Sequence, residues 1–252
     1  MTDGNNDSLR KFVEDSGHPV SLKASTILQR KGWYVRNAPR YVSANENEAL
    51  KEIDIVSRKK STLYQHANCE LIIECKKQKD PWIFFTQNKK NDDIFTLNVN
   101  FAGFYDGYVD NSKESELLFR KHFYYNRDLC TYFIVGRKDL EKGGPGATID
   151  RAINQVYNAL KFYLSQGYNE FPEFYYPVIV FDGEMFEASY PDEQLEIKST
   201  NHVSLYFEVE LDKPEFSETV KSSVFLLSKP YVIDIVKLSY LEQFLDEIDH
   251  HI

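Results

Sequence analysis

Asp54 and the pair Glu74 and Lys76 are the residues of this 252-residue chain whose types and spacing point most directly to chemistry. They stand in or beside two short apolar runs. Ile53, Ile55 and Val56 mark the first, Leu71, Ile72 and Ile73 the second, and the polar stretch from Ser61 to Asn68 joins them. Short apolar runs bounded by polar turn residues predict buried central strands. Burying an unpaired carboxylate or ammonium is costly, so charge inside such strands needs a reason. Side chains alternate along a strand. Glu74 and Lys76 therefore share one face, Cys75 takes the other, and pairing of the two strands brings Asp54 to the face of Glu74. Two carboxylates then converge beside one ammonium. Their repulsion raises a pKa, and a hard cation relieves it, because Mg2+ is held by one or two carboxylates and keeps waters for a phosphate to replace.

Asp54, followed twenty residues later by Glu74-x-Lys76 at the end of an apolar strand, resembles the PD-(D/E)xK nuclease superfamily in its resolvase-like and Mrr-like branch. The resemblance covers 19–90 closely and 131–237 loosely. It implies an α/β, restriction-endonuclease-like fold, a mixed central sheet flanked by helices. It also implies Asp54 and Glu74 as ligands of Mg2+ (or Mn2+), with the Cys75 backbone carbonyl as a further ligand. Lys76 becomes the group that orients the attacking water or stabilises charge. Gln155 becomes a catalytic residue on the helix after the core strands, although the Gln-x-x-x-Tyr pattern of some relatives is broken here by Ala159. The implied activity is metal-dependent endonucleolytic hydrolysis of phosphodiester bonds in DNA, in restriction, antiviral defence or repair. Two features depart from the family. The first helix carries Ser21, Lys23, Ser25 and Thr26 where many relatives place a glutamate, and Ile53 precedes Asp54 where many have proline. Glu52 is a candidate substitute for the missing acid. The departures leave two alternatives open: a catalytically silent nuclease-fold binding module, and a partner-dependent subunit of a defence or repair complex.

Other constellations carry less. Glu196-Ile197-Lys198 repeats the Glu-x-Lys spacing with Asp182 upstream, but it follows the loop-like Tyr190 to Gln194 instead of an apolar strand. His122 with Asn126 faintly echoes an HNH-type site, and His18 and His202 read as surface or core histidines. Gly143 to Gly146 precede a helix start without a phosphate-loop pattern. Three cysteines, Cys69, Cys75 and Cys130, lack metal-ligand or disulfide spacing.

Hydrophobic residues make up 42% and charged residues 27%, which is ordinary for a globular domain, whereas 17 Tyr and 18 Phe are many. The net charge of −9 is unevenly spread: residues 1–90 hold 16 Lys and Arg against 11 Asp and Glu, and residues 91–252 hold 14 against 28. The basic half contains the nuclease-like motif. Lys77, Lys79, Arg58 and Lys59 are the expected nucleic-acid contacts. The acidic C-terminal half is the expected surface for a homodimer or a protein partner. Residues 1–12 lack a signal-peptide core and no apolar run is long enough to cross a bilayer, so a cytoplasmic protein without membrane partners is expected.

The elements that must position these residues follow from pattern. Residues 1–17 predict a polar tail or a short helix near Leu9 to Val13, and 18–252 a single nuclease-like domain with an insertion at 91–130. A helix from Pro19 ends at Lys31-Gly32, and Trp33 to Val35 starts a strand. Asp80-Pro81 predicts a helix start, with an extended aromatic segment as the alternative. Glu116 to Tyr125 is expected to be helical, Tyr132 to Val135 a strand, and Thr148 the cap of a helix with Ile149, Ala152, Ile153, Val156 and Leu160 on its apolar stripe. Tyr176 to Phe181 predicts a strand that returns through Asp182-Gly183 as a hairpin over Met185 to Ala188. His202 to Leu211 and Tyr231 to Val236 predict strands, and Ser239 caps a last helix.

Overall fold

A computed structural model describes residues 3–16, 18–43, 49–62, 68–87, 128–136, 147–166, 173–207 and 231–250. Its architecture is built around strand β5 (Asn68–Lys77), buried from Cys69 to Cys75. Cys69, Leu71, Ile73 and Cys75 pack into one core with helices α2 (His18–Arg30) and α4 (Leu241–Asp249). Ile72, on the opposite face, joins a second core with helix α3 (Ala147–Gln166). Cover on both faces is why the run reads as almost continuously apolar, and why its charges stand out.

The neighbours of β5 are β4 (Ile55–Lys60), antiparallel, and β8 (Glu173–Asp182), parallel, with Ile55 opposite Ile73 and Lys77 opposite Asp182. The other strands are β1 (Tyr34–Asn37), β6 (Trp82–Gln87), β7 (Leu129–Val135), β9 (Met185–Ser189), β10 (Glu196–Ser199), β11 (His202–Phe207) and β12 (Tyr231–Lys237). Together they form a ten-stranded mixed sheet in the order β1-β4-β5-β8-β12-β11-β7-β6-β9-β10. The molecule is thus α/β, a large mixed sheet flanked by helices. A small hairpin of β2 (Arg40–Ser43) and β3 (Ala49–Glu52) stands apart from the sheet.

The sheet must curl. From β8 to β9 the order takes five strand steps, about 24 Å across a flat sheet. Yet Asp182 and Met185 are three residues apart, a reach of at most about 11 Å. The pair β5/β8 in effect continues through two short links into the parallel pair β6/β9, where Trp82 stands opposite Met185. Trp82 stacks on Phe181 at the crossing with ring centroids 3.8 Å apart.

Several expectations are corrected here. Met185 to Ala188 is a strand, but it does not return along β8; it pairs with β6 and β10. Asp80-Pro81 opens strand β6, not a helix: Trp82 and Phe84 are buried, and Pro81 lies outside the ladder where its missing N–H costs nothing. The apolar run through Ile53 to Val56 is two strands, broken at Ile53-Asp54. Thr148 lies inside α3, and a 3-10 turn over Leu238–Tyr240 puts Tyr240, not Ser239, at the cap of α4. The N-terminal stretch is a 13-residue helix, α1 (Asp3–Asp15), supported by the Arg10–Glu14 ion pair. Leu129 and Cys130 belong to β7, so the strand begins inside the expected insertion. Residues 91–127 of that insertion, including Glu116 to Tyr125, His122 and Asn126, lie outside the described residues, as do Gly143 to Gly146 and residues 208–211. The α2 stop is as expected: Gly32 takes φ +79, and Trp33 N–H closes the turn on Leu28 O at 3.0 Å. Among the described residues no helix is long and apolar enough to cross a membrane.

Candidate functional site

Where β4 begins at Ile55, the ladder with β5 still leaves donors to be met on the β5 side. Asp54 meets one of them: its Oδ2 accepts the backbone N–H of Cys75 at 2.7 Å. The Glu74 carboxylate in turn takes a backbone hydrogen bond from Asp54. This reciprocal exchange fixes both carboxyl groups to backbone. The corner itself is held by Ala38 N–H on Asp54 O (2.8 Å) and Ile53 N–H on Pro39 O (3.2 Å).

Lys76, on the same face as Glu74, donates to Glu74 Oε1 and to Gln155 Oε1, the latter at 3.1 Å. Gln155 comes from the middle of α3, the helix that covers this face, and Tyr41 Oη bonds its carbonyl at 3.3 Å. Asp54, Glu74, Lys76 and Gln155 therefore occupy one place, drawn from the β3–β4 corner, the end of β5 and one helix. Cys75 points away into the other core, where burial pushes its thiol well up, so only its backbone faces the site.

The electrostatics follow from burial. Glu74 is 3% exposed, and its carboxyl is pushed up to about 7, first by burial and then by the charge of Asp54, with Lys76 pulling it back. Asp54 is raised too. Burial is the main cause and Glu52 adds to it, while the Cys75 hydrogen bond, Lys76 and His18 oppose. Two carboxylates held together against their own repulsion are a site short of positive charge. Among the described residues no group of three or more His, Cys, Asp or Glu side chains is arranged to hold a metal. The side-chain donors gathered here are the two carboxylates of Asp54 and Glu74, hard oxygens of the kind Mg2+ takes from a protein.

The remaining sequence candidates fall in different places. Lys77 and Lys79 follow directly from the site and are exposed; Lys77 Nζ donates to Glu14 O of α1 at 2.7 Å. Arg58 and Lys59 are not brought to it. Arg58 stands opposite Glu70, four residues and roughly 13 Å back along β5. Its Nε donates to the buried Glu70 carboxylate at 2.6 Å, and Lys59 Nζ lies 2.6 Å from Asp249. Glu52 is on the separate hairpin, exposed and 3.6 Å from Arg40, and reaches Asp54 only through its field. In the rival motif, Asp182 ends β8, whereas Glu196 and Lys198 sit on the fully exposed β10 with Lys198 paired to Glu187.

One residue was missed. His18, the first residue of α2, lies close enough for its charge to act on Asp54, and nothing in its sequence neighbourhood distinguishes it from an ordinary exposed histidine. His202 is instead a core histidine. It and Ser204 both meet Asp234 Oδ1 at 2.8 Å, so Asp234 holds each without aligning one on the other, unlike a nucleophilic triad. A cavity of about 730 Å3 opens beside Phe85, Tyr132, Tyr190 and Lys198, and none of the Asp54 cluster lines it.

No protein family, no curated protein and no solved structure matches the chain.

Proposed function

We propose that this chain is a divalent-cation-dependent endonuclease that hydrolyses phosphodiester bonds in DNA, on a restriction-endonuclease-like core. The observation that carries the proposal is Lys76, held between Glu74 and Gln155 beside the backbone-tethered Asp54. The order α2, antiparallel β4 and β5, α3, then β8 parallel to β5 supports the fold assignment. DNA as substrate, and restriction, defence or repair as setting, rest on the sequence resemblance.

A lysine ammonium has three hydrogens. Two are committed, to Glu74 and Gln155, which leaves the third for an attacking water or a non-bridging phosphate oxygen. Asp54 keeps one oxygen on Cys75 N–H and leaves the other for a ligand. Asp54, Glu74 and the Cys75 carbonyl would hold Mg2+ or Mn2+, which would supply positive charge to ease ionisation of water and neutralise the phosphate. Lys76 then serves as electrostatic stabiliser and Gln155 as its positioning group.

The test is cleavage of supercoiled plasmid, single-stranded DNA and structured RNA by wild type, Lys76→Ala and Glu74→Ala, in Mg2+, Mn2+ or EDTA. Metal-dependent cutting of DNA is expected, reduced by about 10²-fold or more in each variant. Cleavage that survives both substitutions overturns the assignment.

A further inference from the structure

Strand β10 ends the ten-stranded sheet. Among the described residues it pairs only with β9, through Ala188 opposite Ile197 and Glu187 opposite Lys198, and all four of its residues are exposed. Such an edge presents unpaired backbone donors and acceptors and is a template for another strand. Ile197 is 55% exposed and Leu195, just before it, 51%. Charge on an edge strand ordinarily discourages pairing, but the charges here are arranged differently. Read outward from Ile197, the order is acid on one side and base on the other.

We infer that β10 is the contact by which two copies of this chain associate, antiparallel about a two-fold axis through Ile197. In that register Glu196 of each copy stands opposite Lys198 of the other, and the two Ile197 side chains meet on the opposite face. Cross-strand pairs of both kinds are favourable. Lys198, whose Nζ is 3.1 Å from Glu187 on its inner side, gains a second carboxylate on its outer side. On the other face Ala188 and Ile197 of each copy join into one apolar ladder. Competing registers fail on the same chemistry. Centring on Glu196 or Lys198 opposes like charges, a one-residue slip puts isoleucine on the charged face, and parallel pairing stacks Glu on Glu. The second Glu-x-Lys of the sequence is thereby accounted for as a self-complementary edge. A four-residue contact is small, so the dimer is weak and reversible. The inference does not depend on the nuclease reading.

Sedimentation velocity of the full chain at low salt, from low to high micromolar concentration, tests it. Wild type is expected to dimerise with concentration. Glu196→Lys and Lys198→Glu each create like-charge pairs across the axis, and each is expected to weaken association by at least about tenfold. Mixed together, they present Lys-Ile-Lys to Glu-Ile-Glu and are expected to recover association as a heterodimer. Both positions are exposed, so cooperative thermal unfolding verifies that the variants are folded, with a small loss expected for Lys198→Glu, which gives up its Glu187 pair, and Ile197→Asp provides a second disruption. Three results overturn the inference: a wild type that stays monomeric, charge-swap variants that dimerise like wild type, or a mixture that stays apart.

Discussion

Glu74 combines burial, a neighbouring carboxylate and a single ammonium, and burial prevails. A carboxyl with a folded pKa of about 7, against roughly 4.3 in an unfolded chain, binds its proton more tightly when folded. The stability it contributes is therefore complete below about pH 4.3 and is lost as pH rises through about 7, a swing of about 4 kcal/mol. Glu74→Gln fixes the uncharged form. In chelator, the variant is expected to be no more stable than wild type near pH 4 and to gain stability over it towards pH 8, read by denaturant or thermal unfolding. Adding Mg2+ at pH 8 should stabilise wild type and leave the variant nearly unmoved, since binding to the native state alone raises its stability. A stability difference independent of pH would show that Glu74 carries no such burden. Asp54, Glu74 and Lys76 were legible in the sequence for the same physical reason, because charge in an otherwise apolar strand requires compensation. Gln155 was half legible, from a helix and a partial spacing. His18 was not, since its relation to Asp54 arises only when α2 is laid beside the β3–β4 corner. Arg58 and Lys59 looked available because Glu70 and Asp249, which engage them, are 12 and 190 residues away.

At the scale of elements, apolar runs located most strands but did not say which strands would be neighbours. Asp182-Gly183 between two apolar runs has the local chemistry of a hairpin, and local chemistry is all a turn motif reports. The chain instead crosses to β6. At this crossing Gly183 meets its surroundings closely: a Cβ added there would lie 2.4 Å from Phe181 Cζ and 2.6 Å from Gln78 O. The conflict involves backbone as well as a stacked ring, so neither can yield cheaply. Gly183→Ala is expected to destabilise the fold by about 1–3 kcal/mol, a fall in Tm of several degrees for a chain of this size. Because Gln78 follows Lys77 directly, the shift should reach the end of β5 and lower the proposed nuclease activity as well. An unchanged Tm would mean that β8 and β9 are not joined through this contact. Asp80-Pro81 was misread by the same limit: proline serves a first helical turn and the position before a strand equally well, and the choice was made by Trp82 stacking on Phe181.

Along the chain, charge is divided between a basic first 90 residues and an acidic remainder, so under the proposed reading the basic stretch is the one that would attract a nucleic acid. Within that stretch the cations differ in what they already engage. Arg58 and Lys59 spend their charge on Glu70 and Asp249, while Lys77 and Lys79 are exposed immediately after the Glu74–Lys76 segment. Each lysine that neutralises a phosphate releases counterion and steepens the fall of affinity with salt by about one unit in a log–log plot. The double variant Lys77→Ala/Lys79→Ala is therefore expected to bind duplex DNA more weakly at low salt, with a slope shallower by about two. Arg58→Ala should leave the slope unchanged and instead lower stability, because it takes a guanidinium away from the buried Glu70 carboxylate. Fluorescence anisotropy across a salt series, with Ca2+ in place of Mg2+ to hold cleavage off, separates the two. If Arg58→Ala flattens the slope while the lysine pair does not, DNA lies across β4 and not along the end of β5, and the path away from the Asp54 cluster would run over the opposite end of the sheet.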